Sequence, residues 1–489
     1  MSRGGPQNEL RRALDNPGGH GGCFRRAVPN DLRVAPVTPF FFSERTPLVG
    51  SHKFLTSRRT VAGVAAASAL CAALSACGTG SSNSSDQGKG TGAVKDPTKP
   101  VTVTFESWVG SDPTMKKFAA DFHKLHPNIT IKMENVNADN ASQKLTTQVA
   151  GGNPPDVAFM DASGTSDFAA RDALVNLDSY ISRSKVVKPS NYVPAFRDFV
   201  TYKKSTWGLP IDGESTGLFY RKDLFAAAGI THPPTTWAEF AADAKKLTVP
   251  SKKQYGYEVF APESAYYWYP WLYQAGGDLL SADGKKVLFT SPAAEKAAQF
   301  YVSLAKYSPP DYLNSNSYDG RVAFAQGQTA MYMAGSWFAG TLDSEFPKIK
   351  DKWAAVPLPN GPAGCKTTIA GDSLVMFSAT KNSDAAWLWM EYLSQPKNVA
   401  KWTYKSKNGT ELPPLTSLLN SPDLVKTKPV MKGFAALMKC GVASTVANPK
   451  FPQIETSLND ELGKAFYGSQ TASQALQNAQ DKAEQILAH

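Results

Sequence analysis

Aromatic side chains are the first residues of this sequence whose types and spacing could bind a small polar ligand. The segment 266–271, which reads YYWYPW, carries five aromatic rings. Consecutive positions on a helix or a strand face different directions, so some of these rings must be exposed or line a cleft. We expect Trp268 and Trp271, which are three residues apart, to contact a ligand. The alternative is that the segment packs as the start of a helix.

Two further tryptophans are binding candidates because of the residues that precede them. Trp108 follows a predicted strand, at the carboxyl end where open α/β sheets bind their ligands. Trp337 closely follows Gly335, and a glycine permits close approach of the backbone. Trp387 and Trp389 instead lie in a helical segment rich in Ala, Leu and Met, which favours a place in the core.

Carboxylates are the groups expected to bind hydroxyls, because each can accept hydrogen bonds from two neighbouring donors. Combined with aromatic faces they would suit a sugar, whose rings have apolar C–H faces and a polar rim. A helix cap or a salt bridge is the alternative role for each of them. The candidates are Asp161, just past a predicted strand, Asp212, Glu214 and Asp372, with Glu106 and Asp112 as weaker ones.

The motif G-x-S-x-G at 213–217 is typical of serine hydrolases, but its surroundings argue against one. It needs a strand before it, a helix after it, and an acid and a histidine further along the chain. Here residues 218–220 have strand character, and the downstream histidines are His232, beside two prolines, and the terminal His489. A glycoside hydrolase needs two carboxylates about 5–9 Å apart. Sequence does not test that spacing, so a surface glycoside hydrolase stays open as the alternative.

Metal and nucleotide sites are not indicated by the sequence. His123 and His126 could share a helix face, but no third ligand stands near them, which favours surface positions. The segment 361–367 resembles a phosphate-binding loop, yet Cys365 stands where that loop requires a glycine. We therefore expect no metal and no cofactor.

The N-terminal part has the pattern of a bacterial export signal that ends in a lipid-attachment cysteine. Basic residues at 53, 58 and 59 precede an uncharged, Ala-rich run at 61–75, shorter than the about 20 apolar residues of a membrane span. The run leads into LSAC, whose Cys77 resembles the lipidated residue of bacterial lipoproteins. Residues 1–76 would then be a dispensable extension and signal peptide. The alternatives are a plain secretory signal and, because of the arginine pair, twin-arginine export.

A flexible tether is predicted at 77–100, where Gly, Ser, Thr and Lys dominate. It would hold the rest of the chain at the outer face of the cell membrane. Residues 1–76 hold ten of the 52 basic and four of the 42 acidic residues, so +6 of the net charge of +10 lies there. The remainder is close to neutral, which argues against a nucleic-acid partner.

Two of the five cysteines remain after processing and lipidation, namely Cys365 and Cys440. An even pair in an oxidising compartment predicts a disulfide. Its loop of about 75 residues would contribute up to about 4 kcal/mol by the entropic argument. Two separate buried thiols are the alternative.

Strands and helices alternate along the first part of the chain. Predicted strands at 101–105, 129–133 and 156–160 alternate with helices at 113–125 and 139–150. This alternation predicts an α/β fold with a parallel sheet covered on both faces. Strand character returns at 211–220. Further helices are predicted at 223–229, 236–247, 291–306, 384–394 and 471–487.

From Val101 to the C-terminus the sequence resembles the family 1 extracellular solute-binding proteins, because short motifs recur in the order and spacing of that family. They are TFESW at 104–108, GGNPPDV at 151–157, GLP at 208–210, LFYRKDLF at 218–225, AGI at 228–230, PTTW at 234–237, AGG at 275–277, GSW at 335–337, VPLP at 356–359 and AG at 370–371.

The resemblance implies two α/β lobes in a type II periplasmic-binding-protein-like fold, with the ligand in the cleft between them and two or three segments crossing it. By analogy, lobe one comprises 101–210 plus 375–418, and lobe two comprises 211–374 plus 419–489. Three of the candidate carboxylates would then lie near crossing segments, and the two remaining cysteines would share a lobe.

The resemblance also implies a function. The chain would capture a sugar and deliver it to an ABC-type membrane permease, as a monomer and without covalent chemistry. Abundant aromatics favour a di- or oligosaccharide over a monosaccharide. A non-sugar ligand such as glycerol phosphate is the alternative among binding proteins. It would require a cationic anchor, and the candidate positions include no basic cluster.

Overall fold

The computed structural model describes residues 92–281, 284–310, 320–444, 446 and 448–488. The predicted signal peptide, Cys77 and most of the predicted tether lie outside these residues. The last part of the tether lies within them and is held in place. Val94 packs against the core, Asp96 pairs with His126 at 2.5 Å, and the Asn128 amide donates to the carbonyl of Pro97. The chain is therefore anchored several residues before the predicted end of the tether.

Strands and helices follow one another through the described chain, with short 3₁₀ turns and one π-helical turn at Lys401–Lys405 between them. The strands are β1 Val101–Ser107, β2 Ile129–Asn135, β3 Val157–Asp161, β4 Thr201–Tyr202, β5 Ser205–Thr206, β6 Gly208–Pro210, β7 Glu214–Ser215, β8 Gly217–Arg221, β9 Tyr255–Tyr257, β10 Thr329–Ala334, β11 Trp353–Val356, β12 Thr367–Ala370, β13 Asp372–Met376 and β14 Gly441–Ala443. The helices are α1 Pro113–Leu125, α2 Ala138–Ala150, α3 Thr165–Ala170, α4 Asp178–Arg183, α5 Pro194–Phe199, α6 Lys222–Ala227, α7 Trp237–Leu247, α8 Ser264–Gln274, α9 Pro292–Ser303, α10 Gly320–Gln326, α11 Trp337–Glu345, α12 Ser383–Leu393, α13 Pro396–Ala400, α14 Thr416–Leu419, α15 Pro422–Thr427, α16 Met431–Leu437, α17 Phe451–Phe466 and α18 Ala472–Ala488. Within the described chain, no helix has the length and apolarity that a membrane crossing requires.

The helix boundaries follow local signals in the sequence. At α1 the Asp112 side chain accepts from the backbone N–H of Thr114, and a proline follows the cap. One face of α1 buries Met115, Phe118 and Phe122, which is the periodicity that predicts the helix. Helices α7 and α9 begin in the same way, after side-chain caps from a threonine and a serine.

The first sheet has five strands in the order β2-β1-β3-β13-β6. Strands β1, β2 and β3 are parallel, as predicted, but β13 and β6 run antiparallel to their neighbours. The sheet is therefore mixed, because β13 enters it from the opposite end after a long excursion of the chain. The predicted lobe boundary between 374 and 375 falls inside β13, all of which belongs to this sheet.

A four-stranded sheet, β11-β8-β10-β9, and a three-stranded sheet, β14-β12-β7, lie in the later part of the chain. The four-stranded sheet packs into a core with α8, α9, α17 and α18. The five-stranded sheet has a core of its own, which includes Phe105, Trp387 and Trp389, as predicted for the two tryptophans. The division of the chain into lobes at the predicted boundaries stays a prediction.

Two antiparallel segments, 208–215 and 367–376, connect these sheets, and we call them the crossing ribbon. Strands β6 and β13 pair within the five-stranded sheet, and β7 and β12 pair within the three-stranded sheet. Between them, a Cβ on Gly371 would lie 2.6 Å from the carbonyl oxygen of Asp212, so the close approach of the two backbones requires a glycine. The backbones of Gly213 and Leu412 also exchange two hydrogen bonds, which brings a third segment to the ribbon.

A disulfide joins Cys365 and Cys440, as predicted, with their Cα atoms 5.6 Å apart. It lies just before β12 and β14, which pair in parallel. The bond therefore ties the ends of two strands of the three-stranded sheet, one of which continues into the crossing ribbon.

Helices α17 and α18 are fastened together by a buried carboxylate. Glu461 on α17 is almost fully buried and accepts from Lys464 and from Lys482 of α18, each at 2.6 Å. Gln470 and Asn478 also donate to it. The pKa of Glu461 is lowered to about 2, because these four donors outweigh the cost of burial.

Candidate carbohydrate site

Three of the predicted carboxylates meet at the crossing ribbon. Asp161 ends β3 and pairs across the sheet with Asp372, which begins β13. The backbone N–H of Asp372 donates to Oδ1 of Asp212 at 3.2 Å. The indole N–H of Trp402 donates to Oδ2 of Asp212 at 2.6 Å. Asp161 is exposed, Asp372 is half-buried and Asp212 is buried.

The fourth predicted carboxylate, Glu214, lies where the ribbon enters the three-stranded sheet. The hydroxyl of Tyr266 on α8 donates to its Oε1 at 2.8 Å. Its Oε2 is buried and has no hydrogen-bond partner among the described residues. A Cβ on Gly335 would lie 1.5 Å from that oxygen, so the glycine leaves the room that the carboxylate occupies.

Glu411, on the segment that pairs with Gly213, is a carboxylate that the sequence analysis missed. The negative charges of Asp212 and Glu214 act on it, which places it in the same cluster. Its own backbone N–H donates to the carbonyl of Thr403. No motif marks Glu411, because only the pairing of its segment with the crossing ribbon brings it to the other acids.

The clustered carboxylates raise one another's pKa in a poorly solvated region. Burial raises the pKa of Asp212 to about 6 and that of Glu214 to about 7. Burial also raises the pKa of Asp372 and that of Glu411 well above the usual range, and the charge of Asp212 adds to each shift. The pKa of Asp161 is raised as well, because the surrounding protein limits the hydration of its carboxyl group although the residue is open to solvent on one side, and the N–H of Ser163 opposes the shift. Part of this cluster therefore holds protons near neutral pH.

Aromatic rings surround the carboxylates, and the structure places two predicted tryptophans among them. Trp108 is partly exposed and meets Phe159 edge to face, and Trp402 also meets Phe159 edge to face. Trp337 begins α11, directly after the glycine that abuts Glu214, and it is also partly exposed. Partly exposed rings beside carboxylates can stack on the apolar faces of a ligand whose hydroxyls the carboxylates bind.

The prediction for Trp268 and Trp271 is wrong in this structure, because both indoles are fully buried. Trp271 packs edge to face against Trp237 and lies against Phe240, inside the core of the four-stranded sheet. The helix turns these two positions inward, and Tyr266 is the residue of the aromatic segment that donates to Glu214. The sequence analysis identified the segment but selected the wrong face of its helix.

Several weaker candidates have structural roles. Glu106 is buried and pairs with Lys144 at 2.7 Å, and Asp112 caps α1. His123 contacts the carbonyl of Ile129, which makes it part of the packing of α1 on β2. Ser215 is buried and donates to the carbonyl of Phe434, so the G-x-S-x-G motif presents no free nucleophile.

Two cavities elsewhere are too small to hold a sugar of several rings. One, of about 140 Å³, lies beside Ser184 and Trp387, and the other, of about 190 Å³, lies beside Leu224 and Lys246. Ligand pockets are usually about 300–1,000 Å³. Neither cavity is lined by a carboxylate of the cluster.

The comparisons with known proteins point the same way as the geometry. The family described as bacterial extracellular solute-binding protein matches residues 107–400, more than half of the chain. A protein of Brucella abortus (strain 2308) that is named a putative binding protein is 28% identical over 385 residues, which cover 77% of this chain and 90% of the relative. The diacetylchitobiose binding protein of Streptomyces coelicolor is 25% identical over 337 residues, which cover 67% of this chain and 76% of the relative.

A solved structure extends the likeness to the fold. An ABC transporter solute binding protein from Thermotoga lettingae, bound with α-D-tagatose, is 28% identical and has a TM-score of 0.73. The match covers 80% of this chain and 100% of the other. The predicted two-lobed α/β fold is thereby confirmed.

Proposed function

The chain belongs to the bacterial extracellular solute-binding proteins, and from that premise we propose that it captures a sugar and delivers it to an ABC-type membrane permease. The observation that carries the proposal is the cluster of carboxylates and partly exposed aromatic rings at the crossing ribbon. Relatives whose names state a sugar ligand, such as tagatose or diacetylchitobiose, support the ligand class.

The binding residues are the ones that the cluster brings together. Aromatic faces stack on the C–H faces of the ring, and carboxylates accept hydrogen bonds from its hydroxyls. The more exposed members of the set, Asp161, Trp108 and Trp337, are accessible to a ligand that arrives from water. The proposed set is Trp108, Asp161, Asp212, Glu214, Tyr266, Trp337, Asp372, Trp402 and Glu411.

Capture depends on where the cluster lies along the chain. Asp161 ends a strand of the five-stranded sheet, whereas Glu214 and Tyr266 belong to the three-stranded sheet and to α8. A sugar that contacts both groups stabilises the arrangement in which they are close together. The permease then recognises that arrangement. Binding and release leave the sugar chemically unchanged, so the protein acts as a carrier rather than as an enzyme.

Delivery at a membrane needs a tether, which the N-terminal residues would supply. Lipidation of Cys77 would anchor the chain at the outer face of the cell membrane, and a relative from Streptomyces antibioticus is named as a lipoprotein. The anchored segment near Val94 marks where the tether would end and the folded chain begin.

The test is a thermal-shift screen of the purified chain against mono- and oligosaccharides, followed by chromatography of the recovered sugar. A ligand at one hundred times its Kd should stabilise the fold by about 2.7 kcal/mol, which appears as a higher Tm. Asp198→Asn is the matched control, because Asp198 is exposed and its partner is Arg197 rather than a residue of the cluster. A sugar recovered in hydrolysed form would instead identify a glycoside hydrolase, and the absence of any shift would contradict sugar binding.

A further inference from the structure

Five carboxyl groups gather at the crossing ribbon, and no cation of the described chain balances the repulsion between their ionised forms. Asp161, Asp212, Glu214, Asp372 and Glu411 act on one another, and none of them forms a salt bridge within the described residues. The pKa values of these five residues are shifted mainly by burial, by neutral hydrogen-bond donors and by other carboxylates. No lysine, arginine or histidine of the described chain is among these main causes.

A further carboxyl group, Glu455, adjoins the cluster, because the charge of Asp161 acts on it. Elsewhere the chain pairs its buried acids with lysines, as at Glu106 and Glu461. The carboxylates of the proposed binding site differ from these two acids, because no lysine pairs with them within the described residues.

Unsatisfied polar atoms at the same place indicate a missing partner. Oε2 of Glu214 is buried without a hydrogen-bond donor in the described residues. The hydroxyl of Ser336, a fully buried residue between Gly335 and Trp337, also lacks a partner there. A buried carboxylate oxygen without a donor costs free energy, so the site is arranged for a ligand that supplies one.

The sign of the charge determines which donor serves best. A hydroxyl supplies a hydrogen bond but leaves the mutual repulsion of the carboxylates unchanged. A protonated amine supplies the hydrogen bond and also lowers the repulsion, because it is a positive charge in a poorly solvated region. The aromatic rings around the cluster add a further attraction, since a cation over a ring face is stabilised.

We propose that the ligand of this site is a sugar that carries a basic amine, and that uronic acids and phosphorylated sugars are excluded. The inference rests on the proposed function and narrows it to a ligand class. A neutral sugar retains the stacking and the hydroxyl contacts, but it binds more weakly because no charge balances the acids.

The experiment compares disaccharides of one shape and different charge. Titration calorimetry of the full chain uses the β-1,4-linked glucosamine disaccharide with free amines, its N-acetylated form and the corresponding neutral glucose disaccharide. At a pH where the amines are protonated, we expect the free-amine sugar to bind at least about tenfold more tightly than either neutral one. Binding should also release protons, measured as a dependence of the heat on the buffer, because the cation lowers the raised pKa of Glu214.

Two variants connect the preference to the cluster. Glu214→Gln and Asp372→Asn each remove, at nearly constant shape, one carboxyl group that the bound amine would ionise, and each should lower the preference for the amine by about tenfold. Asp198→Asn, at an exposed residue that pairs with Arg197 and not with the cluster, should leave the preference unchanged. Equal or tighter binding of a neutral disaccharide would overturn the inference and leave sugar capture standing. Failure of all three disaccharides to bind would overturn this ligand class, and failure of the wider sugar screen would overturn the proposed function itself.

Discussion

Gly335→Ala tests the geometry of the carboxylate cluster with the smallest possible change. The added Cβ would lie 1.5 Å from Oε2 of Glu214, so the carboxylate must move. The backbone at Gly335 is outside the left-handed region, and an alanine can adopt it. The added Cβ would also lie 2.7 Å from a ring carbon of Trp337, so both side chains must shift. Because both are partly exposed, we expect the fold to survive while the carboxylate loses its bond to Tyr266 and its place in the site.

The expected size follows from the interactions that the displaced carboxylate makes. A hydrogen bond to a charged group contributes about 1.5–3 kcal/mol, and 1.4 kcal/mol corresponds to a tenfold change in affinity, so binding should weaken by roughly 10- to 150-fold. Titration calorimetry gives the affinity, and thermal unfolding reports whether the chain remains folded.

A second glycine provides the matched control for this substitution. Gly463 lies within α17, and a Cβ there would have nothing within 4 Å. Gly463→Ala should leave the affinity unchanged and stabilise the chain by about 0.4–1 kcal/mol through the unfolded state. If Gly335→Ala binds sugar as tightly as the wild type does, Glu214 is not a ligand residue and the assignment of the cluster is refuted.

Three further outcomes concern pH and redox state. The folded pKa of Glu461 lies below its ordinary value, so the stability that this carboxylate gives the fold should be complete above about pH 4.5 and lost towards pH 2. Glu461→Gln should lower the free energy of unfolding by about 2 kcal/mol at pH 6, and the unfolding curves of variant and wild type should converge near pH 2. The pKa of Glu214 is raised instead, so the ligand-free chain should lose stability as the pH rises from about 4.5 to 7. Glu214→Gln should therefore have a higher Tm than the wild type at pH 8 and an equal Tm at pH 4. Replacing Cys365 and Cys440 together by alanine should lower the free energy of unfolding by up to about 4 kcal/mol, and reductant should have no further effect on that variant.

The local elements were largely predictable because their signals are local. The helix over Pro113–Leu125 and the strand that begins at Val101 follow from periodicity and caps within a few residues. The antiparallel entry of β13 was not predictable in this way, because its direction depends on the long excursion of the chain before it. Helix α17 was also missed, although its burial pattern is helical.

The site residues also separate into those with a local sequence signal and those that distant parts of the chain position. Asp161, Asp212, Glu214 and Asp372 stand beside strand ends and glycines, where the sequence marks them as candidates, and the structure brings them together. Trp402 and Glu411 carry no such mark, because a π-helical turn and a backbone bridge to the ribbon position them. The selection of Trp268 and Trp271 failed because an aromatic segment does not reveal which of its faces packs against a core.

The most direct test of the account is a crystal structure of the chain with the sugar that stabilises it most in the screen. The account predicts that the sugar lies at the crossing ribbon, with its polar groups on Glu214 and Asp372 and an aromatic face of Trp108, Trp337 or Trp402 against its ring. A sugar bound elsewhere, such as in the small cavity beside Trp387, with these carboxylates uncontacted, would contradict it.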